Sequence, residues 1–250
     1  MTSYYNEIDP YAAQWLRNLI EAGLIAPGHV DERSIVDVRP ADLDGFEQCH
    51  FFAGIGGWSA ALRLAAWPDA EPVWSGSCPC QPLSGSGQRK GHADERHLWP
   101  AFYGLIAECK PTVVFGEQVT GPDGMEWLSG VRADLEAAGY AIGAADLCAA
   151  GVSSPQNRPR FFWMAHARGQ GVPRSIEQRA GLRSTAGAAP AEPRDSSIRP
   201  WLFDCSNPNS ISAVDGLRRP VGEVRAFGNA IVPQVAAEFI KATQDALTAA

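Results

Sequence analysis

No apolar run in this 250-residue sequence reaches the roughly 18 to 20 residues needed to cross a bilayer as a helix. The opening residues, MTSYYNEIDP, lack both the basic stretch and the apolar stretch of a secretory leader. A soluble, intracellular protein is therefore expected. Cysteine is sparse: Cys49, Cys78, Cys80, Cys109, Cys148 and Cys205 are too few for a disulfide scaffold in a chain of this length. No two of them form a CxxC pair, which argues against structural zinc, and no metal is expected. Hydrophobic residues make up 45% and charged residues 20%, which excludes disorder of the whole chain and fits one large domain, or one with a small appendage.

Positive charge is also scarce, and the net charge of −7 argues against a nucleic-acid partner if charge is evenly spread. It is not. Residues 1–150 carry 9 Lys+Arg against 20 Asp+Glu, whereas residues 151–225 carry 11 basic residues against 6 acidic ones, and every basic one is arginine. Arginine suits bidentate contacts with phosphate and guanine, so a basic segment on an acidic body suits a polyanion docking on one side. A solvated arginine-rich loop is the alternative.

Strands alternate with helices along the chain. Residues 3–8 read as a strand, and Asp9-Pro10 as a helix start with proline at the first helical position. A helix over 11–22 ends at Gly23. Residues 34–38 and 48–53 read as strands, then a glycine turn leads into a helix over 58–67 and a strand over 72–77. A helix over 98–109, a strand over 112–115, a helix over 124–138, strands over 140–148 and 161–165 and a final helix over 233–247 follow. A doubly wound α/β sheet accounts for this order. Residues 168–200, rich in Gly, Ala, Pro, Ser and Arg, read as an irregular loop.

Five features carry chemistry. Phe52-Ala53-Gly54-Ile55-Gly56-Gly57, between a strand and a helix, lets backbone approach a nucleotide-like ligand, although a purely structural turn has the same composition. Pro79-Cys80-Gln81-Pro82 stands at the carboxyl end of a strand, where open α/β sheets place their sites; Cys80 is a candidate nucleophile or a buried small hydrophobe. The small, polar and basic run Ser84, Gly85, Ser86, Gly87, Gln88, Arg89, Lys90 suits a lid over a phosphate backbone. Glu117 closes the strand 112–115 and would emerge on the same sheet edge as Cys80, where partial burial raises a carboxyl pKa. Arg158 and Arg160, two apart before a strand, would project to one side.

In this order, FAGIGG, PCQPLS, GEQV, QNRPR and GNAIVPQVA (228–236) resemble the signature motifs of the DNA cytosine-5 methyltransferases. The resemblance implies a Rossmann-like S-adenosylmethionine-dependent sheet with a short, partly irregular target-recognition region, methylating a cytosine flipped out of double-stranded DNA. Residues 1–166 would form the catalytic domain, 167–221 the recognition region, and 222–250 a segment returning to the catalytic domain. Cys80 would attack C6 of the base, Glu117 would protonate N3, Arg160 would hold the base carbonyl, and Arg158 would support Cys80. Phe52, Gly54, Ile55, Gly56, Pro79, Leu98, Asn229 and Ala230 would line the cofactor, and Ser84, Ser86, Gln88, Arg89 and Lys90 would meet DNA. A monomer in the cytoplasm, bacterial or phage-encoded, is expected, either beside a restriction enzyme or as an orphan.

The spacing departs from the family pattern. Only about twenty residues separate the glycine turn from PCQ, where the family has about 40 or more, including segments for the cofactor's ribose and adenine. Asn6 to Ala12 and Arg33 to Val38 resemble those missing segments, so the order is rearranged: Glu7 would bind the ribose, and Ile8, Ser34 and Ile35 would stand on the adenine side. Ser34 replaces the usual aspartate, Gln118 the usual asparagine after the acid, and Leu83 the usual phenylalanine. His50-Phe51 stands where an aspartate commonly precedes the turn. The short recognition region leaves open a relaxed readout, one borrowed from a partner, or a damaged one. A catalytically impaired DNA-binding relative, an RNA methyltransferase and, from the glycine turn alone, a nicotinamide-dependent oxidoreductase are the competing readings.

Overall fold

The first helix begins as Asp9-Pro10 implies. In the computed structural model, which describes residues 3–79, 98–152, 158–171 and 230–249, the Asp9 carboxylate accepts from the N–H groups of Tyr11 at 2.9 Å and Ala12 at 3.3 Å. That satisfies two of the four donors that a helix start leaves bare. The helix α1 (Pro10–Glu21) buries Leu16 and Leu19, while strand β1 (Ser3–Asn6) precedes it.

Seven strands form one sheet. β2 (Gly28–Asp31), β3 (Gln48–Phe51), β4 (Val73–Gly76), β5 (Val113–Val119), β6 (Tyr140–Cys148) and β7 (Pro159–Ala167) join β1 in the order β2-β1-β3-β4-β5-β7-β6. All neighbours from β2 to β5 are parallel, and β7 runs antiparallel to both β5 and β6. The chain thus moves outward from β1 to β2, then returns to the other side of β1 with β3. That reversal puts a topological switch point between β1 and β3, the place where open α/β sheets bind ligands.

Helices cover both faces. On one, α3 (Trp99–Cys109) and α4 (Pro122–Ala137) bury Phe102, Trp127 and Leu135 against Val114 and Trp163. On the other, α2 (Gly57–Leu64) and α5 (Pro233–Ala249) bury Leu62, Val235 and Ile240 against Val113 and Phe115. Each such fully buried large side chain contributes about 1.5–3 kcal/mol. Gly116, paired with Gly76 across β5 and β4, is needed for close approach. A Cβ at Gly116 would overlap the Trp163 ring, and one at Gly76 the Phe102 ring. No described helix is long and apolar enough to cross a membrane.

Two sequence expectations are corrected. Residues 34–38 are not a strand: Ile35–Asp37 form a 3-10 turn, with Asp37 N–H bonded to Ser34 O at 2.9 Å, and the strand is the preceding Gly28–Asp31. The cause is a clamp at the end of β2. Asp31 accepts from the Arg33 backbone N–H at 2.9 Å, and Asn6 Nδ2 donates to Arg33 O at 2.8 Å, which pulls the chain out of the sheet. Ile35 and Val38, three apart, then face the core together. Nor does Glu117 close its strand, since β5 continues two residues further to Val119 through pairing with β7. The irregular stretch expected at 168–200 lies outside the described residues beyond residue 171.

His50, which stands where the resembled motif pattern commonly has an aspartate, sits inside the sheet on β3. Its ring stacks on Tyr5 at 5.0 Å, and Nδ1 lies 2.7 Å from Ser75 Oγ. Burial pushes its pKa down to about 3. The folded protein holds the imidazole neutral while the unfolded chain protonates it near the usual value of about 6.5, so stability should fall as pH drops through that window towards 3. His50→Gln should flatten this loss, read as the fall in thermal midpoint between pH 7 and pH 4.5 by circular dichroism. Equal falls in the variant and the wild type would contradict it.

Candidate active site

At the switch point, the glycine turn and the end of β1 meet through a carboxylate. Ala53 N–H bonds to Asn6 O at 3.0 Å, extending the β1–β3 pairing by one step. Glu7 follows, with Oε2 accepting from Gly54 N–H at 2.7 Å and Oε1 from Asp9 N–H at 2.9 Å. The turn itself needs left-handed backbone at Phe52 (φ 51°), Gly54 (φ 55°) and Gly56 (φ 83°). At Phe52 this costs of order 1–3 kcal/mol, a strain seen where a ligand site is held in shape. Phe52 is fixed edge-on against Phe102 at 6.1 Å. A Cβ at Gly54 would meet nothing within 4 Å, so the turn faces open space where a ligand can lie against bare backbone.

Around this turn the residues sort by exposure. Ile8 is 64% exposed, an apolar side chain left in solvent beside Glu7. Ser34 is half-buried, but Ile35 lies in the core at 4% exposure, and it is Val36, at 62%, that presents apolar surface on that segment. Ile55 is buried, Phe52 and Gly54 are half-buried, and Gly56 packs towards Ile25 and Leu16. Ala230 is half-buried, next to Ile231, which lies against Gly57. These groups suit a cofactor with an adenosine-like part: a carboxylate for ribose hydroxyls, exposed aliphatics for a flat base, and open backbone for the remainder.

Two strands away, the same edge carries the acid. Glu117 is 9% exposed, on the β5 face shared with Val113 and Phe115. Arg160 Nε stands 2.8 Å from its Oε1, and Arg160 also donates from Nη1 to Pro159 O at 2.8 Å. Burial raises the Glu117 pKa, and the guanidinium charges of Arg160 and then Arg158 only partly offset it. Such a carboxyl can hold a proton at a pH where a solvated glutamate has lost it. Of the two arginines expected to share a side, Arg160 pairs with Glu117 and Arg158 acts on it through its charge. β4 and β5 pair at Gly76 and Gly116, so the chain leaves β4 through Ser77, Cys78 and Pro79 beside this acid. Pro79 is exposed, and Leu98, at the start of α3, packs on the core. Cys80, Ser84, Ser86, Gln88, Arg89, Lys90 and Asn229 lie outside the described residues.

Some contributors carried no signal in the sequence. Asp31, buried at the end of β2, accepts from Tyr4 Oη at 2.7 Å and Arg33 Nη2 at 2.7 Å. Burial pushes its carboxyl up, but the Arg33 side chain, Tyr4 and the Arg33 backbone outweigh it and hold the pKa at about 2. Trp58 and Ser77 are joined by a hydrogen bond. Neither pair has a sequence pattern; only the adjacency of Trp58 to the glycine turn points to it. No group of histidine, cysteine or acidic residues able to hold a metal occurs among the described residues.

The sheet has the fold of a methyltransferase: over 99% of this chain and 99% of the other it is similar to EhMeth of Entamoeba histolytica, with a TM-score of 0.53. At 15% identity that likeness shows the fold alone. Sequence goes further. Residues 72–189 match the model of the C-5 cytosine-specific DNA methylase family. The chain is 30% identical to the Type II methyltransferase M.NlaX of Neisseria lactamica over 185 residues, 68% of this chain and 59% of that one. It is 33% identical to the Type II methyltransferase M.AplI of Arthrospira platensis over 93 residues, 36% of this chain and 27% of that one. The chain belongs to the DNA cytosine-5-methyltransferase family, and it spans between about a quarter and three-fifths of the length of these relatives.

The buried acid has a consequence for stability. Because the folded state favours the protonated Glu117, its contribution is present at low pH and is lost as pH rises through the raised pKa. Glu117→Gln, neutral at every pH, should therefore melt higher than the wild type at pH 8, with the gap closing towards pH 5. Scanning calorimetry across that range checks it, and a gap that widens towards acid would show that the ion pair with Arg160 dominates instead.

Proposed function

We propose that this protein is a cytoplasmic enzyme that transfers a methyl group from S-adenosylmethionine to C5 of a cytosine flipped out of double-stranded DNA, through a covalent bond between Cys80 and C6. The observation that carries this reading is Glu117: a buried carboxyl with a raised pKa, paired with Arg160, on the strand beside the one that runs into Cys80. A cytosine ring is a poor electrophile until N3 is protonated, and a buried carboxyl with a raised pKa holds a proton more readily than a solvated one, which is what that step needs.

Each residue then has a stated task. Glu117, its Oε1 beside Arg160, gives its proton to N3 as the Cys80 thiolate adds to C6. The S–C6 bond forms, the C5–C6 π electrons shift towards C4 and N3, and C5 becomes an enamine-like nucleophile. S-adenosylmethionine, when bound, supplies the electrophilic sulfonium methyl. Loss of the C5 proton to water and elimination of the Cys80 thiolate restore the aromatic ring, and N3 returns its proton to Glu117. Arg160 would hold the base carbonyl, and Arg158 adds positive charge that acts on Glu117. Glu7 would hold the ribose; Ile8 and, on the segment at Ser34, the exposed Val36 rather than the buried Ile35 would flank the adenine; and the open side of Gly54 would take the chain between them. Residues 167–221 would read the DNA sequence.

Bisulfite sequencing of DNA from cells expressing the protein should reveal protected cytosines in a defined sequence context; uniform conversion would contradict the activity. Cys80→Ala should abolish methyl transfer with little change in fold, since losing one sulfur removes little packing. Cys78 is the control, because burial pushes its thiol up and away from the reactive thiolate form. Transfer that survives Cys80→Ala but fails in Cys78→Ala would reverse the assignment.

The cofactor site has its own test. Hydrogen bonds to a charged group are worth about 1.5–3 kcal/mol, so Glu7→Ala should weaken S-adenosylmethionine binding by about 10- to 150-fold. Titration calorimetry should show this while DNA affinity stays nearly constant. Unchanged cofactor affinity would place the ribose elsewhere.

A further inference from the structure

The indole of Trp58 touches all three parts of the candidate active site. Trp58 is the second residue of α2, immediately after the glycine turn, and is 4% exposed. Its ring stacks on Phe115 at 5.9 Å, two residues before Glu117 on the same face of β5. It also stands edge-on to Phe162 at 6.1 Å, the residue paired with Glu117 across β5 and β7. Its Nε1–H donates to Ser77 Oγ at 3.0 Å. Ser77 is the first residue beyond β4, and Cys80 follows it by three.

We propose that the Trp58–Ser77 hydrogen bond is a positioning device that sets the segment leading into Cys80 against the strand carrying Glu117. This rests on the methyl-transfer reading above and extends it to two residues outside the reacting groups. A free strand end leaves a loop as mobile as its backbone allows. Here a rigid indole, held on two aromatic rings of the acid's own strand pair, fixes the Ser77 hydroxyl. Ring stacking places the donor, and the donor places the segment. The path of the chain at Ser77, three residues before the nucleophile in sequence, is thus tied to one side chain, and a displacement of about 1 Å in a catalytic alignment can cost about 100-fold in rate.

Trp58→Phe keeps the ring and removes the N–H, whereas Ser77→Ala removes the acceptor and Ser77→Thr retains it. The full chain is mixed with S-adenosylmethionine and duplex DNA of mixed sequence containing 5-fluorocytosine. Fluorine at C5 cannot leave as a proton does, so the Cys80–C6 bond persists and is counted on denaturing gels. Trp58→Phe and Ser77→Ala should each slow adduct formation by about 10- to 100-fold, with cofactor affinity within about twofold of wild type. The double variant should be no slower than either single one, because both remove one bond, and Ser77→Thr should keep the wild-type rate. Additive losses, a wild-type rate in Trp58→Phe or Ser77→Ala, or a parallel loss of cofactor affinity would overturn the proposal. A wild-type protein that forms no adduct would overturn the methyl-transfer reading and this inference with it.

Discussion

The parallel pairing of β1 with β3, from Ser3 against Gln48 to Asn6 against Phe51, fixes where the loops that follow the two strands meet. Glu7 and Gly54 are 47 residues apart in the chain, yet their hydrogen bond is 2.7 Å long because both leave the sheet at the same level. A carboxylate here accepts from two backbone N–H groups, Gly54 and Asp9, and so ties the first helix and the glycine turn to one point. The strained backbone at Phe52 is held by this tie and by the ring of Phe102. Were β1 to pair elsewhere, the turn would lose its anchor.

The reacting half of the edge depends on packing of another kind. Gly76 and Gly116, paired across β4 and β5, leave room for Phe102 and Trp163 to lie against the sheet on the α3 and α4 face. On the opposite face, Trp58, Phe115, Phe162 and Phe239 form a second aromatic layer. Glu117 stands at the end of that apolar layer. Its raised proton affinity follows from being the acid that closes it, with Arg160 close enough to orient the carboxylate but too little charge in all to reverse the effect of burial.

Much of this was legible in the residues themselves. Asp9-Pro10 marked a helix start, the glycine turn marked a strand-to-helix junction, and β6 carried its bounds in its pattern of residues. Strands at the N-terminus could join the sheet next to the glycine turn because pairing depends on neighbours in space: the sheet places β1 beside β3, and β2 outside β1, although both precede β3 in the chain. What the sequence could not convey was cooperation at a distance. The apolar spacing of Ile35 and Val38 suits a turn as well as a strand, and the clamp of Asp31, Arg33 and Asn6 decides between them. Trp58 and Ser77, nineteen residues apart, have no shared pattern that betrays their bond.

The reading makes the base, the atom and the nucleic acid specific. Purified protein is incubated with S-adenosylmethionine carrying a labelled methyl group and, separately, with duplex DNA and RNA of the same sequences; each polymer is then digested to nucleosides and resolved by mass spectrometry. The account predicts label in 5-methyldeoxycytidine from DNA alone. Label in N4-methylcytosine or N6-methyladenine, label confined to RNA, or no labelled nucleoside from a folded, cofactor-binding protein would contradict it.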